Sequence, residues 1–252
     1  MGDILDIGNV GAGVSAGRRF RPSFHLWMVL LMAFFVFGGF GMTYLGPMAS
    51  GTLPPTPPIV HVHGAFFFAW MLLLVTQSLL VNARQVRLHR SLGSFGIALA
   101  GGLVVVGALI TLISASLPST TDDAYGLMYL SLVATPSFAA LFALAIGSLR
   151  RPAVHRNLIL LATLAILMPG INRLYMMGLA LVSVPFLATY LTMDAILAAV
   201  IYHERRATGV ISRETWIGAT IIVLPQLFLP ILVPTHGYRE FVDSLASLIY
   251  YR

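Results

Sequence analysis

Seven stretches of mostly apolar residues, each close to the length that crosses a bilayer, govern what this chain can become: roughly 26–47, 59–81, 92–114, 127–148, 157–181, 186–203 and 215–234. A spanning helix needs about 20 such residues, because each adds only about 1.5 Å. The rest of the composition agrees. The 252 residues are 58% hydrophobic and 10% charged, with mean hydropathy +0.89, whereas soluble domains carry about 25% charged residues. There is too little polar surface to coat a water-soluble globule, and too much apolar and aromatic material for a disordered chain. The expected fold is all-α: a polytopic integral membrane protein with about seven transmembrane helices. Residues 1–25 read as a flexible cytoplasmic tail, 26–234 as the seven-helix transmembrane domain, and 235–252 as an outer-face interfacial helix, where Phe241, Leu245, Leu248 and Ile249 recur at helical spacing.

Arginines set the orientation. With a cytoplasmic N-terminus, the inner segments hold Arg18, Arg19, Arg21, Arg84, Arg87, Arg90, Arg150, Arg151, Arg156, Arg205, Arg206 and Arg213, twelve of the fifteen. Arg239 and Arg252 fall outside and Arg173 lies within a span. Such asymmetry predicts N-in and a C-terminus outside, in the inner (plasma) membrane of a bacterium. The net charge of +6 is then a topology signal. The expected partner is the lipid bilayer, and no nucleic acid is needed to explain the charge.

Absent residue types narrow the chemistry. No cysteine means no disulfide, thiolate nucleophile, iron–sulfur cluster or Cys-ligated zinc. All 15 basic residues are arginine, which excludes a Schiff base on lysine and a P-loop lysine. Gly8, Gly11, Gly13 and Gly17 have the wrong spacing for a dinucleotide fingerprint, and no strand precedes them. No HExxH pattern supports hydrolytic metal chemistry.

Ionisable groups inside a span are costly and usually face a partner or a cavity. Arg173 and Asp194 sit at similar depth in two spans joined by a tight turn near Ser183 and Pro185, so the sequence predicts an Arg173–Asp194 ion pair. Gln226, Asn172, Tyr175, Tyr190 and His63 lie at similar or shallower levels. Pro169-Gly170 and Pro225 stand beside them. Proline bends a helix and frees a carbonyl, and in a bilayer such breaks are tolerated where protein or a water-filled cavity covers them. Kinks beside polar residues at one depth point to an intramembrane site. The expected ligand-binding set is therefore His63, Asn172, Arg173, Tyr175, Tyr190, Asp194 and Gln226. The alternative is a polar seam that only locks helices together.

Among the seven histidines, His89 and His155 lie near the inner face, each followed by arginine. They are the candidate axial ligands of a b-type haem. His61 and His63 would share a metal with His236 only in an extended chain, because in a helix their rings point about 200° apart. Phe66, Phe67, Phe68 and Trp70 read as packing or lipid contact. Gly93, Gly96, Gly101, Gly102 and Gly107 suggest close helix approach in the third span.

The inner turns look alike: Arg87-Leu88-His89-Arg90-Ser91-Leu92 before span three, Val154-His155-Arg156-Asn157-Leu158 before span five. Spans two–three and four–five thus read as two related hairpins. His63-Gly64, Gln77 and His89-Arg90-Ser91-Leu92-Gly93, with the second His155-Arg156 and the intramembrane Arg173, resemble the signature of an uncharacterised bacterial multi-pass membrane family. The resemblance covers roughly residues 59–205 and implies a membrane protein without implying a reaction. Three functions stay open: a small-ligand binding or transport-type protein with its site in the outer half, a haem b-binding redox protein, and a structural or assembly subunit of a membrane complex, in each case alone or as a homo-oligomer.

Overall fold

The computed structural model describes residues 21–115, 122–179 and 185–248, and every regular element among them is helical. Helix α1 (Phe24–Phe40) runs through a π-helical turn (Gly41–Leu45) into α2 (Gly46–Ala49). There follow α3 (Pro58–Asn82), α4 (Val86–Ala115), α5 (Asp122–Gly147), α6 (Pro152–Ala165), α7 (Met168–Arg173) with a second π-helical turn (Leu174–Gly178), α8 (Pro185–Thr208), α9 (Arg213–Leu232) and α10 (His236–Leu248). Six stretches among the described residues are individually long and apolar enough to cross a membrane, seven if the bent pair α6–α7 counts as one span. The protein is thus an all-α, multi-pass membrane protein. We call the arginine-rich end of the bundle inner and the opposite end outer.

The predicted tail falls almost wholly on residues 1–20, outside the described residues. The Ser23 hydroxyl accepts from the Leu26 N–H at 3.3 Å and caps α1, so the first span begins two residues before the predicted boundary.

Helix α6 is the axle. Leu158, Leu160, Leu161, Ala162, Thr163 and Leu164 are essentially inaccessible, and a helix apolar on every side belongs in the middle. It packs against α1, α5, α8 and α9. Trp70 of α3 donates its indole N–H to Thr163 Oγ1 at 3.3 Å and meets Phe138 edge-on, with centroids 5.2 Å apart. The aromatic run of α3 is therefore packing: Phe67 and Trp70 are buried, and Phe68 stacks on Phe37.

The bend at Pro169 has a local cause. Proline has no N–H for the carbonyl of Ala165. The chain tightens instead, with Ile166 and Leu167 bonding carbonyls three residues back, Thr163 and Leu164. Beyond the break α7 departs at 51°. Pro225 and Pro230 act more gently, and α9 passes through both as one helix.

Small residues set the closest crossing. A Cβ on Gly39 of α1 would collide with the carbonyl oxygen of Gly170 in α7 and approach Arg173 Cβ to 3.2 Å. A Cβ on Gly170 would lie 3.1 Å from the Phe35 carbonyl oxygen. The expected glycine face of α4 is partly realised. Gly96, Gly102 and Gly107 meet Leu73, Phe66 and Thr135, while Gly93 and Gly101 have nothing within 4 Å.

The hairpins α3–α4 and α5–α6 are the most extensively packed helix pairs. His89 is the fourth residue of α4 and His155 the fourth of α6, so the sequence likeness coincides with equivalent places in the fold. At the outer end α10 lies against α4 and α5. Val242 is buried beside Ala115 and Met128, and the Tyr238 hydroxyl donates to the Tyr125 carbonyl at 2.9 Å. Burial pushes the Tyr238 hydroxyl up to about 12. Ile249, assigned to the interfacial helix from sequence, lies outside the described residues.

Candidate functional site

A cavity of about 570 Å³ opens in the outer half of the bundle, within the roughly 300–1,000 Å³ typical of small-molecule sites. Helices α1, α3, α4, α5, α7, α8 and α9 all contribute to its wall. Of the seven residues expected to bind ligand, His63, Asn172, Arg173, Tyr190 and Gln226 line it, while Tyr175 and Asp194 do not. His63 lies five residues into α3, Tyr190 five into α8, and Arg173 five before the end of the second π-turn. All three are therefore roughly 8 Å below the outer helix ends.

Among the described residues Arg173 is the cavity's single formal charge, because no described aspartate, glutamate or other arginine lines it. Its guanidinium lies 4.6 Å from the centroid of the Phe40 ring, and one Nη1 donates to the Pro169 carbonyl at a long 3.4 Å. A guanidinium has five N–H donors. Among the described residues, none of the others has an acceptor.

The predicted Arg173–Asp194 ion pair does not form. Asp194 Oδ1 instead accepts from Gln226 Nε2 of α9 at 3.1 Å. The reason is angular. Thr192 of α8 meets α7, where its hydroxyl bonds the Tyr175 hydroxyl at 2.5 Å. Asp194, two residues on, points about 200° away around the helix, toward α9. Thr189, on the α7 side, donates to Asn172 Oδ1 at 3.4 Å. Depth separates them as well: Asp194 lies nine residues into α8, roughly one turn deeper than Arg173, which is five residues from the outer end of its own helix. Tyr175 and Thr192 form a seam that ties α7 to α8, apart from the cavity.

Two cavity-lining side chains carry polar atoms buried without a partner: His63 Nδ1 and the Tyr190 hydroxyl oxygen. His63 stacks on Phe67 one turn below it, with centroids 6.4 Å apart, and lies within electrostatic reach of Arg173. The prolines also interrupt the helix hydrogen-bonding beside the cavity. Pro169, Pro225 and Pro230 lack the N–H groups that would bond the carbonyls of Ala165, Ile221 and Gln226, and all three of those residues line the cavity. An unpaired buried polar group costs about 1–3 kcal/mol, so several together mark a place built to receive something polar.

Sequence reasoning did not find the cavity's floor. Phe40, which faces the guanidinium, and Phe67, Leu103, Phe138 and Ile222 carry no polar signal, and nothing in their spacing separates a cavity wall from a packed core. Tyr44, at the rim, contributes through the π-turn and bonds His61 Nδ1 at 2.5 Å. That bond, within a helix already begun at Pro58, also settles the His61–His63 metal reading. The chain is not extended there, the two rings diverge, and His236 is exposed beside Glu240, 3.4 Å away. Among the described residues no group of three or more metal-ligating side chains gathers.

At the inner end, His155 Nδ1 donates to the Ala145 carbonyl at 2.8 Å, leaving Nε2 for any other partner. His89 Nδ1 and Gln77 Oε1 are buried without partners. These groups lie toward the inner ends of α3, α4 and α6 and do not line the cavity.

No family model matches the chain, and no curated protein and no solved structure is significantly similar to it.

Proposed function

We propose that this protein binds a small ligand through Arg173 in the outer-half cavity, as a receptor or transport-type membrane protein. One observation carries the reading. Among the described residues the guanidinium lies in a largely apolar cavity with no carboxylate to neutralise it, although an intramembrane acid, Asp194, stands on the neighbouring helix α8, where it pairs with Gln226 instead. A charge held in low dielectric without a counter-ion is expensive. A ligand bearing an acidic or carbonyl group offsets that cost. The orphaned His63 Nδ1 and Tyr190 hydroxyl supply further contacts, and the 51° break at Pro169 turns α7 and Arg173 toward the space.

The arginine distribution supports an N-in orientation in a bacterial inner membrane, which puts the cavity on the non-cytoplasmic side. Likeness to the uncharacterised multi-pass family rests on the His-Gly, Gln and His-Arg positions, and we keep it as part of this proposal.

Native mass spectrometry of protein purified in a mild detergent tests the reading. Wild-type protein is expected to carry a small-molecule adduct, and Arg173→Gln to lose it while keeping its fold. An adduct-free wild type, or one whose adduct survives Arg173→Gln undiminished, would count against it.

A further inference from the structure

Resting on that reading, we infer that the ligand is a singly anionic amphiphile: one acidic group at Arg173 and a single apolar chain running inward along the cavity. The wall dictates both halves. Among the described residues Arg173 is its one formal charge, so a partner with one negative charge leaves the cavity neutral, whereas a multiply charged ligand would import charges that no described residue meets. A neutral carbonyl would use the N–H donors and leave the positive charge in place. An acid does both, and a guanidinium meets a carboxylate with two parallel hydrogen bonds.

The apolar half follows from depth. The polar tier of His63, Arg173 and Tyr190 lies roughly 8 Å below the outer helix ends. Leu103 is twelve residues from the end of α4 and Phe138 sixteen from the start of α5, so the floor reaches roughly 18–24 Å. Between the tiers the wall is mostly aromatic and aliphatic, as Phe67, Ile166 and Ile222 illustrate, and its polar members there, Ser131, Thr135 and Ser137 of α5, are uncharged hydroxyls. A head at the upper tier therefore sends its tail toward the bilayer midplane, the direction in which any lipid-derived chain already points. Leu127, 51% exposed, stands at the rim on the outer turn of α5. The cavity thus borders the outer surface of the bundle on that side.

Thermal melting of the full chain in a non-ionic detergent tests this, with dodecanoate, dodecan-1-ol and dodecyltrimethylammonium as probes at equal concentration. Dodecanoate near 100 times its Kd is expected to raise the midpoint of the wild type by ~5 °C, with no rise from the alcohol or the cation. Arg173→Lys should keep part of the shift and Arg173→Gln none. Equal shifts from acid and alcohol in the wild type would overturn the inference, and that comparison decides even if Arg173→Gln fails to fold. A wild type that ignores dodecanoate yet carries an Arg173-dependent adduct in the mass spectrum would overturn the amphiphile alone and leave the cavity's ligand-binding role standing.

Discussion

Gly39→Ala is expected to lower stability by about 2–3 kcal/mol, the upper part of the range for overpacking a tight contact. A single methyl group does this because its obstacle is backbone. The added carbon would collide with the Gly170 carbonyl oxygen, and a carbonyl cannot swing aside as a side chain does. Without a hydrophobic driving force between helices in lipid, close van der Waals approach of small residues supplies much of the association, and the α1–α7 crossing depends on it. Arg173 shares the consequence, since its Cβ lies 3.2 Å from where the new carbon would sit. Gly41→Ala, two residues on with nothing within 4 Å, should be neutral or slightly stabilising. Reversible unfolding in mixed micelles measures both. Equal stability of Gly39→Ala and wild type would show that the crossing is looser than described.

The second large effect is a contrast of couplings. Replacing Arg173 by Met removes a charge that no acid balances, so the ligand-free protein should hold or gain stability. Had Arg173 and Asp194 been paired, the same change would strand a buried carboxylate and cost about 3–5 kcal/mol. A double-mutant cycle of Arg173→Met with Asp194→Asn should therefore give a coupling below about 0.5 kcal/mol. A cycle of Asp194→Ala with Gln226→Leu, which removes acceptor and donor in turn, should reach about 0.5–1 kcal/mol, the usual worth of one interhelical hydrogen bond. Coupling of several kcal/mol between Arg173 and Asp194 would restore the ion pair and remove the reason to expect an anionic ligand.

That contrast shows what the sequence could and could not convey. Depth is a count along a helix, and the counts for His63, Arg173, Tyr190, Asp194 and Gln226 place them all in the outer half. Azimuth depends on which face each helix gives its neighbours. Asp194 sits about one turn deeper than the arginine, and Thr192 takes the side of α8 that faces Tyr175. The break before Asn172 was legible because Pro169 removes a specific donor. Six spans, and a seventh where the bent α6–α7 pair counts as one, were legible because bilayer thickness fixes a length. The aromatic floor was not, since Phe67 bordering a cavity and Phe35 in the core look alike as letters. Nor did sequence show that α6 is the axle. Its apolar residues simply continue all the way round.

The central claim is that Arg173 holds a ligand where the protein gives it no acid. A density map of the purified full-length protein in lipid nanodiscs tests this most directly. The account predicts non-protein density within hydrogen-bonding distance of the Arg173 guanidinium, with a tail extending toward Phe138 and Ile222. A guanidinium turned onto Asp194, or a cavity closed by its own side chains, would contradict it.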